Sequence, residues 1–182
     1  MARESDSLTM EEAIDRLRTE SGSTVRALSE ASPILLVFLR HSGCPFCKEA
    51  VADVARARGA LERAGVRPVF VMQGDARDAS RLLEQGGLGD AERVLDPGRT
   101  LYRAMGLRRG NPWQMVGPFV WWRTLQALWA GRMIGRVAGD PFQMPGVFLL
   151  HRGRVIASHR FRSQADRPDY AGIASCPVDG VG

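Results

Sequence analysis

Lysine is almost absent from these 182 residues: Lys48 is the only one, so the net charge of +5 rests on arginine. A modest positive charge of this kind is a compositional habit and does not by itself point to nucleic acid. Cysteine is scarce too. Three is a small, odd number, which excludes a secreted disulfide framework. A chain of this length can bury a core without such staples. Long apolar runs are missing as well. The longest, Ile34 to Leu39, falls far short of the ~20 residues of a membrane span. The opening stretch MARESDSLTMEEAIDRL has no basic segment followed by an apolar one, so no signal peptide is expected and the cytoplasm is the expected location. There is no internal repeat and no low-complexity tract.

What is present alternates between strand and helix patterns. Thr9 with Glu12 fits a capping box ahead of a helix over Glu11–Thr19, and a second short helix is predicted over Thr24–Glu30. Together these make residues 1–32 an N-terminal helical extension. Ile34–Arg40 reads as a buried central strand. From Pro45 the apolar spacing becomes helical, and Gly65 closes that helix. Pro68–Met72 is a second strand, Ala76–Gln85 a helix, Arg93–Leu95 a short strand and Thr100–Met105 a helix. Val147–His151 and Val155–Arg160 form two strands joined at Arg152-Gly153, a tight hairpin signal. A short helix is expected within Pro168–Ser175. Parallel units followed by a hairpin predict an α/β fold: a three-layer α/β/α sandwich with a mixed central sheet. The expected organisation is one such domain over 33–176, with a helical insertion at 107–139 and a tail at 177–182.

The chemistry is concentrated in Cys44-Pro45-Phe46-Cys47. Cys44 falls where a strand gives way to a helix. The unpaired amides and the dipole of a helix start favour an anion there, so a thiolate at Cys44 would be stabilised. Pro45 suits the first helical position because it has no N–H to lose. Cys47 follows one turn on, within reach of an intramolecular disulfide. Arg40, His41 and Lys48 add positive charge nearby in sequence. These placements predict Cys44 as the exposed nucleophile and Cys47 as the more buried resolving thiol. Half of a zinc site is the competing reading. Its further ligands would come from Cys176, His41, His151 and His159, which form no second paired motif. Inert structural cysteines are the third. No metal and no cofactor are expected.

Met144-Pro145-Gly146 stands just before the strand that starts at Val147. Folds of the expected class place a cis-proline there, facing the active cysteines, so Pro145 is predicted to be cis and beside the pair. Pro45, Phe46 and the backbone of Met144 are expected to contact a substrate.

The segments VFLRHSGCPFCKEAV, VLDPGRTLYRAMGL and GDPFQMPGVFLLHRGRVI carry a family likeness. Over about residues 30–172 the chain resembles the peroxiredoxin-like branch of the alkyl hydroperoxide reductase and thiol-specific antioxidant group, the branch related to selenoprotein-L-like and peroxiredoxin-like-2 proteins. The resemblance implies a thioredoxin-like fold and a CPFC redox pair. It also implies a peroxide or disulfide substrate, and a dithiol donor such as a thioredoxin or glutathione system. It departs from typical peroxiredoxins at one point. Their Pro-x-x-x-Thr-x-x-Cys signature is missing, since His41 stands three residues before Cys44 and Cys44 three before Cys47. Thiol–disulfide exchange is therefore as compatible with the residues as peroxide reduction.

Residues 97–139 contain no Asp or Glu but hold seven arginines and all four tryptophans, Trp113, Trp121, Trp122 and Trp129. Val120–Ile134 has helical spacing. This segment reads as a packed insertion, a substrate wall, a membrane-surface helix, or a partner or homodimer face. No nucleic-acid motif accompanies it. The alternative function is thus a non-catalytic or redox-sensing binding module that uses 107–139 for a partner or lipid. Cys176 reads as a free thiol, and His151 and His159 as structural.

Overall fold

The computed structural model describes residues 8–110, 122, 129, 140, 142–163 and 166–178. At its centre Ile34–Phe38 (β1), ILLVF, is buried at every position. That follows from an unbroken apolar run, which only a strand covered on both faces can hide. Arg67–Met72 (β2) runs parallel to β1, and Glu92–Leu95 (β3) runs parallel to β2. On the other side Gly146–His151 (β4) is antiparallel to β1, and Arg154–Arg160 (β5) is antiparallel to β4. The sheet order is β3-β2-β1-β4-β5. Arg152 and Gly153 both take positive φ, 50° and 73°, which is what a two-residue hairpin loop needs to match strand twist.

The period-two pleat sorts the side chains into two cores. Leu35, Val37, Phe70, Met72, Val147 and Leu149 cluster with residues of Pro45–Arg63 (α3), Ala76–Gln85 (α4) and Tyr170–Ala174 (α6). Ile34, Leu36, Phe38, Val69, Val71, Phe148 and Leu150 cluster with Met10–Arg16 (α1), Val25–Ala31 (α2) and Thr100–Ala104 (α5). The result is the expected three-layer, thioredoxin-like sandwich. The capping box of α1 is present, with the Glu12 amide donating to Thr9 Oγ1 at 3.2 Å and the Thr9 amide to Glu12 Oε2 at 2.9 Å. Among the described residues no helix is long and apolar enough to cross a membrane.

Most of the predicted insertion at 107–139 lies outside the described residues. Its start is described: Leu107 is buried in the second core, and Arg109 bridges to Gln143. Trp122 and Trp129 are also described and are exposed, by 58% and 86%.

Candidate active site

The strand-to-helix junction after β1 builds the site. Leu39 continues the strand path by donating its amide to Val71 O at 2.9 Å. The chain then turns, and the Cys44 amide donates back to His41 O at 3.1 Å. Cys44 is the N-cap residue of α3 and Pro45 its first helical residue. The amides of Cys47 and Lys48 donate to Cys44 O at 3.1 and 3.2 Å, so both cysteines sit on one helical turn. Both are free thiols.

Arg40 serves both sulfurs. Its guanidinium Nη2 lies 2.8 Å from Cys44 Sγ, and its backbone amide lies 3.4 Å from Cys47 Sγ. Burial alone would push the Cys44 thiol up. A hydrogen bond from Cys47, the charge of Arg40, the Cys47 amide and the Arg40 hydrogen bond outweigh it and bring Cys44 down to about 6. Cys47 moves the other way. It is raised by donating its proton to Cys44, then by burial and by the negative charge it faces. One guanidinium and one shared proton thus separate two identical side chains into a ready anion and its proton donor.

Four expectations need correction. Cys44 is not exposed: Cys44 and Cys47 are 1% and 4% accessible. Much of the cover comes from far along the chain, for Pro145, Phe161 and Tyr170 join Phe46 in lining the same cavity as the two cysteines, and that cavity holds about 10 Å³. This is room for about one water-sized molecule. His41 is not a cation at neutral pH, because burial and then the Arg40 charge lower it to about 4. Lys48 lines a groove with Ser42, Asp78 and Arg81. Finally, no described peptide bond is cis. Pro145 stands beside the pair as predicted, but through a trans bond. The Met144 amide donates to Arg108 O at 3.2 Å and Met144 O accepts from Gln143 Nε2 at 3.2 Å, so the chain enters β4 along an extended path that a trans bond continues. The same two bonds occupy the Met144 backbone that was expected to meet a substrate. Pro45 is buried at the head of α3, and Phe46 is half-buried against the core.

Sequence reasoning missed three contributors. Phe161 and Tyr170 carry no local signal that they would roof a site more than half the chain away. Tyr102, on α5, is fully buried, and its hydroxyl donates to Leu39 O and to Val71 O, the latter at 2.9 Å. The helix that carries it is capped by Asp96, whose carboxylate accepts the amides of Thr100 and Leu101 at 2.8 Å each. Asp96-Pro97 and Tyr102 were visible as a motif, but not as parts of this site. His151 and His159 are far from the sulfurs in sequence and sit on the hairpin strands. Among the described residues no group of three or more His, Cys, Asp or Glu side chains could hold a metal ion.

Comparison with known proteins points one way. A family model described as AhpC/TSA antioxidant enzyme matches residues 54–163, a span that begins beyond both cysteines and so rests on the rest of the fold. The chain is similar to human peroxiredoxin-like 2C, at 30% identity over 77% of this chain and 66% of that protein. It spans just under two thirds of that relative's length. It is also similar to a prostamide/prostaglandin F synthase of Salmo salar, at 24% identity over 75% of this chain and 70% of that one. Among solved structures, peroxiredoxin Q of Xanthomonas campestris overlays with a TM-score of 0.58 at 18% identity, covering 81% of each chain. That last likeness speaks to the fold alone.

Proposed function

We propose that this chain, which belongs to the AhpC/TSA antioxidant enzyme family, reduces small peroxides with Cys44 as the nucleophile and Cys47 as the resolving thiol. The family supports a thiol redox role. The observation that carries the finer reading is the Arg40 guanidinium 2.8 Å from Cys44 Sγ at the start of α3. It favours the thiolate in the dry setting where one hydrogen bond to a charge is worth most.

The Cys44 thiolate attacks one peroxide oxygen. A sulfur–oxygen bond forms, the O–O bond breaks, and the departing alkoxide or hydroxide takes the Cys47 proton to leave as alcohol or water, so that Cys47 becomes a thiolate. Cys44 is then a sulfenic acid. The Cys47 thiolate attacks that sulfur, forming the disulfide and expelling hydroxide, which is protonated to water. A dithiol donor completes the cycle, its two thiols becoming a disulfide as Cys44 and Cys47 regain their protons. Arg40, rather than a threonine, supplies the donor beside the sulfur. The cavity of about 10 Å³ over the pair suits a small oxidant, and the dithiol donor reaches the disulfide once Phe161 and Tyr170 are moved aside. A cytoplasmic setting, where thiols are kept reduced, suits the donor step.

The test is peroxide consumption with a dithiol donor, with the oxidised product mapped by mass spectrometry. The wild-type chain should yield a Cys44–Cys47 disulfide, and Cys47→Ser a sulfenic acid trapped by dimedone. A Cys44→Ser variant that still consumes peroxide would overturn the reading.

Exposure of Trp122 and Trp129 by 58% and 86% favours a second role, in which segment 107–139 holds a partner or a second copy of the chain. In that case Trp122→Ser with Trp129→Ser should abolish association in sedimentation, while cysteine variants leave it intact.

A further inference from the structure

The peptide unit between Leu39 and Arg40 has a hydrogen bond at each end. Its N–H lies 3.4 Å from Cys47 Sγ. Its carbonyl accepts from the Tyr102 hydroxyl. Leu39 is one residue past Phe38, the last position of β1 in register with either neighbouring strand, so strand pairing alone does not set the plane of this peptide. Tyr102 does, by reaching across from α5 to the ends of β1 and β2 together. It is itself held from behind: Asp96 caps its helix, and its ring packs edge-on against Phe38 with centroids 4.9 Å apart. A phenylalanine would fill the same space. The hydroxyl is the part that packing does not require.

We propose that Tyr102 is a positioning residue for the redox pair: its hydroxyl fixes and polarises the Leu39–Arg40 peptide so that the Arg40 amide faces Cys47 and favours negative charge on that sulfur as it closes the disulfide. Two effects combine. Holding the carbonyl of a planar trans peptide aims the N–H opposite to it. A hydrogen bond at the carbonyl also strengthens the N–H as a donor. Burial, followed by the nearby charges of Cys47 and Asp96, raises the Tyr102 phenol, so it remains a donor throughout the working pH range. Cys44 takes its stabilisation from the Cys47 proton and from the guanidinium of the same arginine, not from the Leu39–Arg40 amide, so the two sulfurs depend on Tyr102 to different degrees. The proposal rests on the redox reading above, in which Cys47 attacks the Cys44 sulfenic acid and water departs.

The experiment treats reduced protein with hydrogen peroxide in the presence of dimedone and measures the partition between Cys44–Cys47 disulfide and Cys44–dimedone adduct. Tyr102→Phe should shift that partition toward the adduct by about tenfold, the size of one lost hydrogen bond. The pH midpoint for alkylation of Cys44 should stay near its wild-type value, about 6. Leu101→Ala, on the same short helix, should lower the melting temperature without moving the partition. 3-Fluorotyrosine at position 102 keeps the shape and strengthens the donor, so closure should be faster, a readout that stands even if Tyr102→Phe does not fold. An unchanged partition in either Tyr102 variant overturns the proposal, as does an equal shift in Leu101→Ala. If the wild-type chain forms no disulfide at all, the redox reading itself falls.

Discussion

The two faces of the sheet are built from the same kind of residue and do different work. The face under α1, α2 and α5 is a continuous apolar core in which Ile14, Val25, Leu36 and Leu101 are fully buried. The face under α3, α4 and α6 is as tightly closed, but it has two thiols embedded in it, one of them 2.8 Å from a guanidinium. The difference is not one of exposure. The reactive sulfurs are as buried as the leucines beside them. What distinguishes them is the set of donors at the end of β1, and one of these, the Tyr102 hydroxyl, crosses over from the inert face.

The division can be tested by perturbing each face and reading both properties. Ile14→Ala, wholly on the inert face, should lower unfolding free energy by about 2–5 kcal/mol in denaturant titration and leave the Cys44 alkylation midpoint in place. A shifted midpoint would mean that the two faces are not separable. Arg40→Met acts on the other side. It removes the charge and the hydrogen bond that act together with the Cys47 proton to bring Cys44 down to about 6, so the thiol should rise and its thiolate fraction at pH 7 should fall by about tenfold, read as lost absorbance at 240 nm.

Smaller effects sharpen the contrast. Thr9→Ala removes the cap of α1 and should cost about 1 kcal/mol, again with no change at the sulfurs. His41 gives a pH signature to the reactive face alone. Its folded-state value is lowered from 6.5 to about 4 by burial and by Arg40. The unfolded chain therefore binds the extra proton first, and the stability this neutral histidine holds at neutral pH is lost as pH falls from about 6.5 to about 4. His41→Asn should flatten that part of the stability profile, which thermal melts across the window would measure.

Much of the architecture was legible because it is written locally. β1 lies within six apolar residues in a row, Ile34–Leu39, α4 runs over the predicted Ala76–Gln85, and the hairpin sits at Arg152-Gly153, where its residues take the required positive φ. The junction that holds Cys44 was legible for the same reason. What could not be read is whatever depends on neighbours distant along the chain. Cys44 is buried because Phe161 and Tyr170 arrive over it. His41 is neutral because its surroundings exclude water. Pro145 is trans, and nothing in Met144-Pro145 itself sets the isomer. Tyr102 reads in sequence as part of the family-like Asp96-Pro97 segment on the predicted helix Thr100–Met105, and only the paths of β1 and β2 give its hydroxyl a purpose.

The cover over the thiols also has a history in time. Arg40, Cys44 and Cys47 leave the ribosome early, with α3 directly behind them. The residues that roof them, Pro145, Phe161 and Tyr170, are made only after most of the chain has followed. At roughly 5–20 residues per second of synthesis the interval is on the order of ten seconds. β4, the antiparallel partner of β1, is produced just as late. In a nascent chain the two thiols are therefore uncovered while the sheet still lacks β4 and β5. The last two residues of the roof, Phe161 and Tyr170, follow only after β5 has completed the sheet.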